Sequence, residues 1–370
     1  MSGDRPILSL GTATFAVEEY RAFCEEFTID TIPLSQVFNH DDVKAAVSQA
    51  VANRAEHGKP PYTAFIRFFG TGMYSPYDQD MLESLTEAGC RYFGGAGAGY
   101  DDVRTEWMTS QGAYYCNTPT AITVSTANGA LMLLLNITRT SYQGEDYSRT
   151  GKWRGTLGDP QNSVPMGYDL EDRTLGIIGL GDIGKALAVR AQACGMKIIY
   201  YSRRRVPEDQ ENGAKYVSFD ELLATSDAIS VNCPLTPETR HLLGPAEFAK
   251  MKTGVYLVNT ARGAIINEEA LVEALKSGKV AAAGLDVFEN EPEIHPGLSD
   301  PSLAYRLSLQ PHTTGRTVAA FTKGEMQIMK STQIENVEIT VLMHVTIKTL
   351  SLTTTVDTTF VMNHAHGSFK

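Results

Sequence analysis

Apolar and polar positions divide the chain into two stretches with different rhythms. From residue 63 to 69 a β-rich apolar run ends at Gly70-Thr71-Gly72, and 78–87 has the spacing of a helix. A short strand over 91–93 leads into GGAGAGYDD, and 111–119 repeats the theme as a strand followed by the turn Asn117-Thr118-Pro119. Residues 125–139 form a long helical stripe through Ala127, Ala130, Leu131, Leu134 and Leu135. A stretch rich in Gly, Ser, Pro and Asp over 142–169 reads as a linker. Beyond it, strands at 173–178, 196–201, 228–233, 256–259 and 280–286 alternate with helices at 183–194, 218–224, 245–251 and 268–277. That alternation predicts a parallel sheet covered on both faces, because each crossover helix must lie against the sheet. The expected class is α/β. A doubly wound, Rossmann-like domain occupies about 170–312, and a second α/β domain the front segment to about 120.

At about 150 residues per domain, 370 residues make two domains, or at most three. Apolar residues at 42% and charged residues at 20% exclude a disordered chain. The net charge of −11 argues against nucleic acid as a partner. No run approaches the roughly 20 apolar residues that span a bilayer, so no membrane partner is expected. The start MSGDRPILSL lacks the basic and apolar regions of a secretory signal. Cys24, Cys90, Cys116, Cys194 and Cys233 are odd in number and never in CxxC spacing. They predict reduced thiols in a cytoplasmic protein, with no metal site and no disulfide framework. Asn136-Ile137-Thr138 is a formal glycosylation sequon, discounted because it falls in a helical segment.

The stretch Thr174 to Ile178, then Gly179-Leu180-Gly181-Asp182-Ile183-Gly184, reads as strand, glycine loop and helix. The first glycine permits a tight turn, the second lets backbone approach a pyrophosphate, and the third lets helix and strand pack closely. A lone GxGxxG is a weak signal, but the flanking elements make this one a dinucleotide loop. The second strand ends at Ser202, followed by Arg203, Arg204 and Arg205. An NAD site wants a carboxylate there for the ribose 2′-hydroxyl, whereas a hydroxyl and guanidinium groups suit a 2′-phosphate. NADP (NADPH) is therefore favoured over NAD.

Three ionisable groups follow successive strands: Arg262 after 256–259, Glu291 after 280–286, and His312 after Gln310-Pro311. Each alone is unremarkable as a surface cation, a loop acid or a cap. In an open parallel sheet, ligands sit outside the carboxyl ends of the strands, so in this order the three could meet one ligand.

With these residues in view, the chain resembles the D-isomer-specific 2-hydroxyacid dehydrogenases, the group that includes glyoxylate and hydroxypyruvate reductases. The resemblance spans about residues 60–337. It rests on GAGYDD, NTP, GLGDIG, PLTPETRHLL, NTARGAIINEEAL, GLDVFENEP and the Pro311-His312 pair. It implies two Rossmann-like or flavodoxin-like domains, with the nucleotide-binding domain inserted into the substrate domain. The boundaries would be 1–120 for the first part of the substrate domain, 121–313 for the NAD(P) domain and 314–370 for the return. It also implies reduction of a small 2-keto acid to the D-2-hydroxy acid, and a homodimer clamped by the helix at about 125–139.

By the same resemblance, Arg262 would hold the keto oxygen and carboxylate. His312 would be the general acid, and Glu291 would hydrogen-bond it and keep it protonated near neutrality. Such parts relieve the alkoxide character that builds as hydride arrives. Ala98 and Gly99 would offer N–H groups to the substrate carboxylate, and Asp286 would hold the nicotinamide amide. Cys233, Pro234, Thr239, Thr260 and Ala261 would line the cofactor, Cys233 by packing rather than reactivity.

The chain departs from the family pattern in two places. Thr313-Thr314-Gly315 follows the histidine where a glycine is expected two residues on, as in the formate dehydrogenase branch. That branch pairs its His with Gln, whereas this chain has Glu291, which favours keto-acid reduction. From about 339 the text becomes Thr-rich and atypical, and the HxH pair His364 and His366 reads as a frayed end. Two alternatives stand beside the dehydrogenase: a formate dehydrogenase-like enzyme, and a nucleotide-sensing corepressor-like binding protein of the same fold.

Overall fold

The computed structural model describes residues 5–155, 159 and 163–333. The described residues form two compact units, one of 5–122 with 317–333 and the other of 123–316, so the second is inserted into the first.

The first unit begins β1 (Pro6–Leu10), α1 (Val17–Glu26), β2 (Thr28–Ile32) and α2 (His40–Glu56). It continues β3 (Ala64–Arg67), α3 (Gln79–Glu87), β4 (Tyr92–Gly95), α4 (Thr105–Ser110) and β5 (Tyr114–Cys116). The strands pair in parallel in the order β2-β1-β3-β4-β5, the flavodoxin-like order. Buried parallel strands are apolar on both faces, and β1 shows why. Leu8 and Leu10 point to the layer of α2 and α3, with Val43, Val47, Met81, Leu82 and Leu85. Ile7 points to the opposite layer with Phe23, Phe27, Ile328 and Met329. Helix starts are set by short polar side chains: Asn39 accepts from the Asp42 N–H at 2.9 Å, and Asp78 from the Met81 N–H at 3.3 Å.

The second unit runs α5 (Thr123–Thr138), α6 (Ser141–Arg149), β6 (Thr174–Ile178), α7 (Asp182–Ala193), β7 (Lys197–Tyr201), β8 (Lys215–Tyr216) and α8 (Phe219–Thr225). Then come β9 (Ala228–Val231), α9 (Pro245–Lys250), β10 (Val255–Asn259), α10 (Glu268–Lys276), β11 (Val280–Leu285) and β12 (Leu307–Leu309). Its sheet is parallel, in the order β12-β11-β10-β9-β6-β7-β8. The order reverses at β6, which pairs with both β7 and β9 and so places its following loop at the topological switch point. The chain then returns to the first unit through α11 (Val318–Gln333).

Glu325 of α11 is fully buried, and its carboxylate accepts the N–H groups of Thr14, Phe15 and Ala16 at 3.0, 2.8 and 2.7 Å. Those N–H groups belong to the turn leading into α1, whose N-cap is Ala16, and the helix dipole there favours an anion.

Two expectations are corrected. The linker expected over 142–169 opens with a helix, α6. Its Gln143 and Tyr147 are buried, Glu145 and Arg149 pair at i,i+4, and Asp146 accepts from the Tyr305 hydroxyl at 2.7 Å. The stripe on α5 is also turned. Its buried face runs through Ala127, Ala130, Leu133, Leu134 and Ile137, while Met132 and Leu135 are exposed. A helix apolar all round does not announce its inward face. Expectations for residues 339–370, including His364 and His366, lie outside the described residues.

Candidate functional site

β6 ends in the glycine loop, and each glycine there has a distinct steric reason. Gly179 has φ +97°, and a Cβ on it would meet the Cys233 nitrogen at 2.8 Å. A Cβ on Gly184 would run into the Gly179 carbonyl, whereas one on Gly181 would meet nothing within 4 Å. Gly181 is also the N-cap of α7 and caps it with no side chain, so backbone donors face open space. Nearby, the buried Thr260 Oγ1 and Asn232 Oδ1 have no hydrogen-bond partner among the described residues. A polar ligand is the ordinary remedy for such groups. The loop therefore fits a dinucleotide pyrophosphate.

Ser202 follows β7, and its hydroxyl oxygen accepts the Leu180 N–H of that loop at 3.0 Å, leaving the hydroxyl hydrogen free to donate. Arg203 and Arg204 are exposed and make no hydrogen bond or ion pair among the described residues. Arg205 does not join them, because Glu208 and Glu211 each hold it at 2.9 Å. The basic turn thus presents two available guanidinium groups, not three. Cys233 is packed: burial pushes its thiol up to about 11. The Thr239 hydroxyl is engaged within its own turn, donating to the Pro234 carbonyl at 2.7 Å and accepting from the Thr236 N–H at 2.7 Å.

At the carboxyl ends of β10, β11 and β12 the structure brings together Arg262, Glu291 and His312. His312 Nδ1 lies 2.9 Å from Glu291 Oε2, and the Phe288 N–H donates to Glu291 Oε1 at 3.0 Å. Burial alone would push the Glu291 carboxyl up. The hydrogen bond and charge of His312, the Phe288 N–H and the nearby Arg262 outweigh it, holding Glu291 below the usual carboxylate value. Glu291 is therefore anionic at neutral pH. The His312 side chain is 48% exposed, and its Nε2 is the ring nitrogen that Glu291 leaves for a ligand.

His312 itself has φ +54°, the left-handed region that side chains seldom adopt. Asp286, at 1% exposure, holds it there. The Asp286 carbonyl accepts the His312 N–H at 2.8 Å, and its carboxylate accepts the N–H groups of Thr313 at 2.7 Å and Thr314 at 3.1 Å. The Thr314 hydroxyl also donates to it. A Cβ on Gly129 of α5 would collide with Thr314, so that glycine makes room for it. The unexpected Thr313-Thr314-Gly315 is thus a working part of the histidine loop. Asp286 is committed to that loop through both carboxylate oxygens.

Residues without an assigned task in the sequence complete the site. Asn259 bridges the turn that carries Arg262, accepting from the Ala261 N–H at 3.0 Å and donating to the Arg262 carbonyl at 2.9 Å. Glu268, buried at the start of α10, accepts the Glu289 N–H at 2.9 Å and so anchors the loop that bears Glu291. A Cβ on Gly263 would strike the Phe288 carbonyl, so the Arg262 turn and the Glu291 loop are in contact. His241, also left-handed at φ +53°, pairs with Glu289. Asn259 and Glu268 lie in NTARGAIINEEAL, but their partners become visible only in three dimensions.

In the first unit, Ala98 and Gly99 are half-buried in the loop after β4, and neither N–H makes a hydrogen bond among the described residues. Among those residues no helix is long and apolar enough to cross a membrane, and no cluster of His, Cys, Asp or Glu could hold a metal ion.

Comparison with known proteins agrees with this geometry. The model of the family described as D-isomer specific 2-hydroxyacid dehydrogenase, NAD binding domain, matches residues 131–314. A 4-methyl-2-oxopentanoate reductase A of Aspergillus oryzae is 41% identical over 259 residues, 70% of this chain and 75% of that protein. The crystal structure of a glyoxylate reductase from Paecilomyes thermophila matches with a TM-score of 0.79 and 36% identity, over 90% of this chain and 95% of that one. The apo D-mandelate dehydrogenase of Rhodotorula graminis matches with a TM-score of 0.75 and 30% identity, over 89% and 93% of the two chains. The chain belongs to the D-isomer specific 2-hydroxyacid dehydrogenase family, oxidoreductases that act on small 2-hydroxy and 2-keto acids with a nicotinamide cofactor.

Proposed function

We propose that this protein reduces a small 2-keto acid, glyoxylate or hydroxypyruvate-like, to the D-2-hydroxy acid, with NADPH preferred over NADH. The observation that carries the reading is the His312–Glu291 pair beside Arg262, one sheet edge with the glycine loop. A reduced nicotinamide held by the glycine loop would supply the hydride for the carbonyl carbon. Arg262 holds the keto oxygen and carboxylate with its planar fork. His312 Nε2 gives its proton to the carbonyl oxygen, and Glu291, on Nδ1, orients the ring and stabilises the imidazolium before transfer. Ala98 and Gly99 offer their unpaired N–H groups to the carboxylate.

Gly179, Gly181, Asp182, Ile183 and Gly184 carry the pyrophosphate, with Cys233, Pro234, Thr239, Thr260 and Ala261 along the cofactor. Asp286 holds the nicotinamide amide while its carboxylate also ties down Thr313 and Thr314. The hydroxyl of Ser202 and the guanidinium groups of Arg203 and Arg204 support the 2′-phosphate. Exposed apolar side chains on α5, Val124, Met132 and Leu135, support a homodimer, which light scattering would test. The decisive experiment is a panel of 2-keto acids with NADPH and NADH. Turnover of at least one acid, faster with NADPH, is expected. Cofactor binding without turnover of any acid would overturn the reading.

A further inference from the structure

Arg67 ends β3 of the first unit and is buried, with 6% of its surface exposed. Its Nη2 lies 3.0 and 2.8 Å from the two oxygens of Asp102 and donates to the Tyr115 hydroxyl at 3.1 Å. The guanidinium stands over the Tyr77 ring, 4.3 Å from its centre. Gly95 leaves the space: a Cβ there would collide with the Tyr115 hydroxyl and lie 2.7 Å from Arg67 Nε. A cation taken this far from water is costly unless its partner is held in place, so the arrangement is specific rather than incidental.

Asp102 is the far end of the loop that contains Ala98 and Gly99. The near end is tied separately. The Gly97 N–H donates to Thr118 Oγ1 at 2.8 Å, the Thr118 N–H to the Gly97 carbonyl at 2.8 Å, and Asn117 Nδ2 to the Ala98 carbonyl at 2.7 Å. The far end is tied by the Arg67–Asp102 ion pair and by the Tyr77 N–H, which donates to the Asp102 carbonyl at 2.8 Å. The two unpaired N–H groups lie between the clamped ends.

We propose that Arg67 is a positioning residue for substrate carboxylate binding: through Asp102 it fixes the 96–102 loop so that the Ala98 and Gly99 N–H groups meet a carboxylate. The proposal rests on the reading of those two N–H groups given under Proposed function. Misplacing a binding group by about 1 Å is enough to lose on the order of 100-fold. The burden should fall on KM, because a carboxylate remote from the reacting carbon is held alike in ground and transition states.

The test compares Arg67→Met, Asp102→Asn, their double variant and Ala98→Pro, using the best 2-keto acid of the panel and its primary 2-keto amide. For both single variants, KM for the acid should rise about 10- to 100-fold with kcat within about threefold. Kd for NADPH by fluorescence should be unchanged, and the amide, which lacks the charge, should lose little. The double variant should be no worse than the worse single, because both act through one tie. Equal losses for acid and amide, or a fall in thermal stability with KM unchanged, would overturn the proposal. If Arg67→Met does not fold, Asp102→Asn, which keeps the side-chain volume, carries the test. Ala98→Pro separates the two levels. If it raises KM for the acid while Asp102→Asn does not, only the Arg67 proposal fails; if it changes nothing, the carboxylate reading fails with it.

Discussion

The two units place their proposed functional groups at the carboxyl edge of a parallel sheet, but the groups differ in kind. In the second unit the edge carries side chains: Arg262, Glu291 and His312 follow β10, β11 and β12. In the first unit the loop after β4 offers bare backbone, the N–H groups of Ala98 and Gly99, and the side chains near it are the supports, Arg67, Asp102, Asn117 and Thr118. Side-chain chemistry moves protons and charge during a reaction, whereas fixed backbone dipoles suit a group whose charge never changes. Substitutions at His312 and Glu291 should therefore act on turnover, and those around the loop after β4 on binding or stability.

The largest effect expected is for His312→Gln. It keeps a hydrogen-bonding side chain but removes the proton donor, so kcat should fall about 10²- to 10⁴-fold with cofactor affinity retained. Single-turnover kinetics with NADPH would check it, and near-normal turnover would remove the proton-donor assignment. Next is Glu325→Ala in the first unit. Leaving the buried Ala16 N–H without an acceptor, and those of Thr14 and Phe15 with solvent only, should cost about 2–3 kcal/mol in urea unfolding. An unchanged midpoint would mean that the clasp contributes nothing.

Cofactor choice follows. Changing Ser202→Asp together with Arg203→Ala should remove about 1.5–3 kcal/mol of charge-assisted phosphate contact, or roughly 10- to 150-fold of NADPH preference. The ratio of kcat/KM for the two cofactors at fixed ionic strength measures it. A parent enzyme that already prefers NADH would reduce the basic turn to surface charge.

Glu291→Gln should act more mildly and show itself in pH. The carboxyl of Glu291 lies below its ordinary value in the folded protein. Its contribution is thus present above the ordinary carboxylate value and is lost as pH falls through the lowered one. The variant should lose that acid limb. A pH profile matching the parent's would separate the pair from catalysis.

The smallest effect concerns Cys233, whose thiol is pushed up to about 11 by burial. At pH 8 its thiolate fraction is on the order of 10⁻³. Iodoacetamide should modify the exposed Cys24 first and leave turnover intact, with peptide mapping as the readout.

The same contrast governs how much was legible in the sequence. The strands of the second unit are mostly short apolar runs between helices: five of the seven described lie within two residues of their expected places, whereas the two-residue β8 and the three-residue β12 had no expected range. Its catalytic candidates are ionisable residues just past those runs, a pattern visible in one dimension. α6 was not legible. SYQGEDYSR is locally polar, and its helix is secured by Tyr305, 159 residues away from Asp146. The face of α5 was hidden for another reason, since apolar residues surround it. Thr314 looked like an irregularity until its hydroxyl was seen on Asp286. In the first unit, Ala98 and Gly99 came only from the family resemblance. Nothing in the spacing of Arg67 and Asp102, 35 residues apart, connects them. Supports of backbone groups are set by tertiary contact, and so carry no local signature.

The clasp at Glu325 has a consequence for how the chain comes into being. On the ribosome, residues 5–122 emerge first, then the whole of 123–316, and only afterwards the helix that completes the first unit. Until then Phe23, Phe68 and their neighbours lack Ile328 and Met329, and one face of the five-stranded sheet is covered only in part, by α1. The inserted unit is contiguous and can fold as it emerges, whereas the surrounding unit must wait through nearly 200 residues of synthesis, about 10 to 40 s at typical elongation rates. The second sheet is thus older than the first in the life of each molecule, although it comes later in the chain. Slow translation or truncation before residue 325 should yield a folded nucleotide unit tethered to a sticky, chaperone-dependent partner.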